Sequence, residues 1–250
     1  MLPTPAFLNL LSVMSPWRRF FAADVPNSSL TPQQALRRLL QGNQRFAAGK
    51  SRARNSARLR ASLAAGQSPM AAVLCCADSR VTPEIIFDQP LGQIFSVRVA
   101  GNFLHDDGLA SLEYAALKLS TPLLFVLGHT DCGAVKAAMQ AVQQEAYFPG
   151  HLPTLLRSLL PAVRQAIHAP PPVTPNSPNP DSADPDASTP EALLKAQLNL
   201  CTRLNVAIVM RNLAGAQPVI APMAESARVL IAGGVYNLST GHIDLIDAAP

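Results

Sequence analysis

The sequence predicts an α/β protein: a mainly parallel β-sheet flanked by helices, with a helical arm ahead of the first strand and an edge strand near the C-terminal end. Three observations carry this. From Met70 onward short apolar runs alternate with segments of helical periodicity, the pattern of a parallel sheet covered on both faces. Two helical patterns come before any strand signal. The stretch 229–245 reads as a strand, a turn punctuated by Asn, Ser, Thr and Gly, and a second strand.

The chain opens on a basic segment. Ten of the twenty Lys and Arg residues lie in the first sixty positions, where Asp24 is the one acid. Such an arm suits nucleic acid, anionic lipid or an acidic partner face, but solvated or salt-bridged helix residues are the plainer reading of a charge run, and nucleic acid is not expected. Residues 1–14 are mildly apolar but lack a basic residue ahead of the apolar part, which makes a poor secretory signal. Ser15-Pro16-Trp17-Arg18-Arg19 faintly resembles a twin-arginine export motif, but Asp24, Pro26, Asn27 and Pro32 interrupt the apolar stretch it needs. No run is long enough to span a membrane. The expected location is cytoplasmic, with export the alternative.

Thr31-Pro32-Gln33-Gln34 supplies an N-cap, a proline at the first helical position and a glutamine three residues after the cap. Leu36, Leu39, Leu40 and Phe46 follow at helical spacing as far as Gly49, and a second helix is expected over 54–65. Strands are expected near 71–76, 93–99, 122–128 and 228–232. Helices are expected near 83–88, 108–119, 132–147, 152–168 and 190–213. Residues 169–190 hold eight of the chain's 23 prolines, with Asn, Ser and Asp between them, and read as a loop insertion that buries little. The organisation expected is an N-terminal extension over 1–30 and one domain over 31–250 carrying that insertion.

Four cysteines, Cys75, Cys76, Cys132 and Cys201, do not make the dense framework of a small disulfide protein. Cys76-Ala77-Asp78-Ser79-Arg80 and His129-Thr130-Asp131-Cys132-Gly133 each follow an apolar run and lead into helical pattern. Two strand ends therefore deliver Cys76, His129 and Cys132 to one edge of the sheet. Two thiolates and an imidazole are a zinc ligand set with the fourth position open, the arrangement of catalytic sites. Cys75 belongs on the opposite face of its strand, and Cys201 reads as a small buried apolar residue. Cys132 would open a helix whose N-terminal dipole favours its thiolate. Asp78 and Arg80 can pair on the loop, holding the carboxylate ionised and oriented. Taken alone, that pair reads equally well as a structural ion pair.

With these motifs the chain resembles the β-class carbonic anhydrases. The family's Cys-x-Asp-Ser-Arg and His-x-x-Cys-Gly signatures stand at 76–80 and 129–133, with further similarity at 66–69, 95–102, 111–115 and 236–241. The resemblance implies the β-carbonic anhydrase fold, and Zn²⁺ held by Cys76, His129 and Cys132. It implies Asp78 and Arg80 as the catalytic pair, with Asp78 a fourth metal ligand in a closed state. It further implies that Gln67, Phe95, Tyr114 and the Gly133 amide bind substrate. The reaction implied is reversible hydration of carbon dioxide to bicarbonate and a proton, in a homodimer or higher homo-oligomer that shares the pocket across its interface. Taken alone, Phe95 and Tyr114 would more often be core residues. One subgroup has a second bicarbonate site that needs a tryptophan three positions before the first cysteine. Val73 stands there, so that site is not expected although Arg98 matches its arginine. The rival readings are a hydrolase of a sulfur analogue such as carbon disulfide on the same scaffold, and a non-catalytic zinc-containing assembly protein.

Overall fold

A computed structural model describes residues 30–53, 56–169 and 189–247. The readings above of the arm before Leu30 and of most of the proline-rich insertion lie outside those residues. The elements in chain order are α1 (Pro32–Ala47), α2 (Ser56–Leu63), β1 (Ala71–Cys75), α3 (Pro83–Ile86), β2 (Ile94–Arg98), α4 (Asp106–Lys118) and β3 (Leu123–His129). They continue with α5 (Gly133–Gln143), α6 (Leu152–His168), α7 (Pro190–Ala214), α8 (Ile220–Glu225), β4 (Leu230–Tyr236) and β5 (Ile243–Ile246).

The strands form one sheet in the order β2-β1-β3-β4-β5. The first four run parallel and β5 returns antiparallel to β4. β1 and β3 are buried along their whole length, as central strands covered on both faces must be. Alternate side chains sort to the two faces. Ala71, Val73, Cys75, Leu123, Phe125 and Leu127 pack with Ala35 and Leu39 of α1 and with Phe87. Ala72, Leu74, Leu124 and Val126 pack with α4, the C-terminal half of α7, and α8. A third cluster, formed by α5, α6 and the N-terminal half of α7, covers Cys76 and Cys132 beyond the strand ends.

Local chemistry explains the boundaries. Thr31 Oγ1 accepts from the Gln34 amide while Gln34 Oε1 accepts from the Thr31 amide, a complete capping box that starts α1. Further along α1, Asn43 donates to Gly241 O at 2.8 Å and accepts from the Ile243 amide at 3.1 Å, joining the first helix to the last hairpin. α7 lies close against β3 and β4. A Cβ at Gly128 would sit 2.8 Å from Val206 Cγ2, and one at Gly233 2.5 Å from Met210 Sδ.

Three expectations change. The helix expected over 132–147 stops at Gln143, with Glu145 at φ 50°. β4 runs on to Tyr236 instead of ending near 232, because Gly233 and Gly234 serve close packing within the strand. The short α8 was not expected from the sequence.

Candidate metal centre

β1 and β3 are parallel neighbours, so their C-terminal ends open on the same edge of the sheet. Cys76 is the first residue beyond β1, His129 closes β3, and Cys132 is the N-cap of α5. Between the last two, Asp131 at φ 54° turns the chain from strand to helix. The result is that Cys76 Sγ, Cys132 Sγ and a ring nitrogen of His129 all lie within 4.8 Å of one another, on three buried residues.

The sulfurs are 4.0 Å apart. That is far beyond the ~2.05 Å of a disulfide and near the about 3.8 Å expected of two thiolates each about 2.3 Å from one tetrahedral ion. His129 Nδ1 is 2.8 Å from Thr130 O. A carbonyl only accepts, so Nδ1 carries the proton and Nε2 is left as a lone pair. Nε2 is buried and has no hydrogen-bond partner among the described residues. A buried, unpaired imidazole acceptor beside two sulfurs is the donor set a divalent cation satisfies, with the Nδ1–H bond fixing the ring.

The two sulfurs are placed to share a hydrogen bond. Hydrogen bonding with Cys132 pulls the Cys76 thiol down to about 4, helped by the Gly101 and Asp78 amides at 3.3 and 3.4 Å, against the opposing effect of burial. The same bond and burial push Cys132 up. The amides of Val135 and Ala134 at the start of α5 do act to lower it, as the helix dipole predicts, but they do not prevail. A bound cation would release the protons the two sulfurs still hold. Cys75 lies on the other face, where burial pushes it up to about 12. Burial likewise raises Cys201, to about 11, inside the apolar cluster.

Asp78 stands at the rim. Arg80 Nε donates to Oδ1 at 3.0 Å and Nη2 to Oδ2 at 2.8 Å, and the Arg80 amide donates to Oδ1 at 2.9 Å. These bonds hold the carboxyl well below the usual range. Oδ2 lies 3.9 Å from His129 Nε2, so the carboxylate flanks the ligand atoms.

A family model described as carbonic anhydrase matches residues 71–243, a span that includes both strand ends and the whole of β4. The chain belongs to the carbonic anhydrase family. "Carbonic anhydrase 2" of Mycobacterium tuberculosis is 44% identical over 140 residues, covering 56% of this chain and 67% of that one. The carbonic anhydrase of Pseudomonas aeruginosa is 32% identical over 195 residues, covering 75% and 78%. Among solved structures, a tetrameric β-carbonic anhydrase of Sordaria macrospora superposes with a TM-score of 0.62 at 22% identity, over 84% of this chain and 96% of that one. A β-carbonic anhydrase of Aspergillus fumigatus gives 0.61 at 24% identity, over 84% and 90%. The fold is that of the β class.

Of the residues expected to bind substrate, Gly133 alone adjoins a candidate metal ligand in the sequence. Gly133 directly follows Cys132 at the first helical position of α5, where amides lack intrahelical acceptors. Phe95 on the edge strand β2 faces Tyr114 of α4, ring centroids 6.2 Å apart. Phe95 pairs in register with Ala72, four residues before Cys76 and so about 13 Å along the strand. Gln67 is exposed and precedes β1, on the far side of that strand from Cys76. Sequence reasoning also left three contributors unassigned. Gly101, at φ 84°, gives its amide to Cys76 Sγ, Asn205 of α7 donates to Gly101 O at 2.9 Å, and Arg98 reaches the carbonyls of the Cys76 loop. A glycine just past a strand was the available signal for the first. Nothing local marks the other two. Among the described residues no helix is long and apolar enough to cross a membrane.

Proposed function

We propose that this carbonic anhydrase binds Zn²⁺ through Cys76 Sγ, His129 Nε2 and Cys132 Sγ and catalyses reversible hydration of carbon dioxide to bicarbonate and a proton. The observation that carries the reading is the unpaired, buried Nε2 beside two sulfurs, with the Asp78 carboxylate held 3.9 Å away by Arg80. Zinc bound there supplies a Lewis acid that brings ionisation of water to near neutral pH. Asp78 stays ionised because Arg80 grips both of its oxygens, and Oδ2 accepts a hydrogen bond that orients the attacking oxygen. The Gly133 amide donates to a substrate oxygen. The proton released passes to buffer. Freed from Arg80, the same carboxylate would serve as a fourth ligand and close the site.

Gln67, Phe95 and Tyr114 line the pocket in this reading, supplied by a second copy of the chain. Supporting this are the placement of Phe95 on an exposed edge strand and a Tyr114 side chain that is half exposed. A homodimer or larger homo-oligomer follows, and residues 31–250 act as one catalytic domain. The test is metal analysis with stopped-flow hydration in a pH-indicator assay. One zinc per chain with rapid hydration is expected, and folded, zinc-loaded oligomer without activity from neutral to alkaline pH would sink the proposal.

A further inference from the structure

We infer that Arg98 is a positioning residue for the metal loop, a bracket that sets where Cys76 and Asp78 stand. Its guanidinium spans two carbonyls of that loop: Nε donates to Cys76 O at 3.2 Å and Nη2 to Asp78 O at 2.7 Å. These carbonyls belong to the first metal ligand and to the carboxylate beside it. The ladder explains why a side chain is needed there. β1 and β2 pair as far as Cys75 and Arg98, and the pattern continues with Val99 N to Cys75 O and Ala77 N to Val99 O. The next bond of a parallel ladder would run from the Gly101 amide to Ala77 O. That amide instead turns, at φ 84°, to the Cys76 sulfur. The β1–β2 ladder is thus given up at the point where the loop needs to be rigid, and Arg98 replaces it with two bonds from the neighbouring strand.

The geometry of the bracket is specific to arginine. A planar fork presents Nε–H and Nη–H in fixed directions and bridges two acceptors two residues apart, while a lysine ammonium keeps the charge but, as a compact point on a flexible stem, cannot hold the two carbonyls at that spacing. Asp78 is then fixed at both ends, with its carboxylate held by Arg80 and its own carbonyl by Arg98 and by the Val81 amide at 3.0 Å. Removing Arg98 leaves the Asp78–Arg80 pair intact as a unit but free to drift relative to His129 Nε2.

This inference rests on the proposed function for its kinetic and zinc-release arms, while loop exchange tests it independently. Arg98→Lys and Arg98→Ala are prepared as full-length zinc protein alongside wild type. Hydration kinetics, zinc release to a chelator at 25 °C, hydrogen exchange of the 78–81 amides and the urea midpoint are measured for each. Both variants should retain one zinc per chain at rest, release it at least tenfold faster and exchange the 78–81 amides faster. They should also lose about tenfold or more in kcat and kcat/KM together, since an oriented nucleophile acts in the transition state. Millimolar ethylguanidinium should partly restore kcat to Arg98→Ala and leave wild type unchanged. If Arg98→Ala does not fold, Arg98→Lys decides alone. Variants with wild-type zinc release, loop exchange and kcat, or a loss seen only in the urea midpoint, overturn the inference. If wild type itself binds zinc but does not hydrate carbon dioxide, the proposed reaction fails, while zinc release and loop exchange still decide the role of Arg98.

Discussion

Replacing Asp78 by asparagine separates what the carboxylate does for the fold from what it does for the reaction. The change keeps the shape and removes the charge that Arg80 Nε and Nη2 grip at 3.0 and 2.8 Å. The Arg80 side chain is 55% exposed, so solvent already screens the pair and the urea midpoint should scarcely move. The reaction is a different matter, because Oδ2 lies 3.9 Å from His129 Nε2, close enough to share the attacking oxygen with the ion held there. A positioned group that accepts a hydrogen bond from the nucleophile contributes about 10²–10⁴ in rate, or about 2.7–5.4 kcal/mol in the barrier. Asp78→Asn should therefore bind one zinc per chain, unfold as wild type does and hydrate carbon dioxide at least about a hundredfold more slowly. The assay is stopped-flow hydration normalised to zinc content, with urea unfolding in parallel. Zinc-loaded Asp78→Asn working within about a factor of three of wild type would refute the orienting role, since an effect that small is below what such a group supplies.

Gly101→Ala forces a side chain onto φ 84° and brings its Cβ within 2.9 Å of Leu159 Cδ1, so urea unfolding should show a loss of about 2–3 kcal/mol from backbone strain and crowding. A change under about 0.5 kcal/mol would mean the turn relaxes freely. Tyr114→Arg puts a charge on a half-exposed position facing Phe95, and sedimentation should find monomers that keep zinc but have lost hydration activity. Fully active monomers would remove the shared pocket. The depressed Asp78 carboxyl also sets an acid limit. Its folded value lies below the unfolded one, so its contribution is fully present above about pH 4 and fades as pH falls from there through the folded value. In chelator-treated protein an NMR titration of the Asp78 carboxyl should find it ionised at about pH 4, where an ordinary aspartate is about half protonated. A carboxyl that titrates at or above the ordinary value would reverse the sign of the assignment.

The strands and the gathering of Cys76, His129 and Cys132 were legible because each rests on a local pattern. An apolar run of strand length ends, and a chemically distinctive residue follows it. What stayed hidden depends on partners far along the chain. Gly233 and Gly234 look like punctuation until α7 is seen pressing on the first and β5 on the second. α8 is six residues long with a proline in it, too short for periodicity to register. Asn205 reads as one polar residue in a helix, and its bond to Gly101 O spans 104 positions. The expectation of a shared pocket came from the family resemblance alone: no local pattern carries it, and Phe95, in register with Ala72, stands four residues short of Cys76 along the strand.

The bond between Asn43 and the Ile243 amide ties together residues made 200 positions apart. At about 5–20 residues per second of synthesis, α1 leaves the ribosome some 10–40 s before its far partner exists. All three sulfur and imidazole donors emerge within that interval. The nascent chain thus holds the means to capture a cation before its first helix can be fastened to its last strand. Order of manufacture, and not only geometry, separates the chemistry of this molecule from its closure.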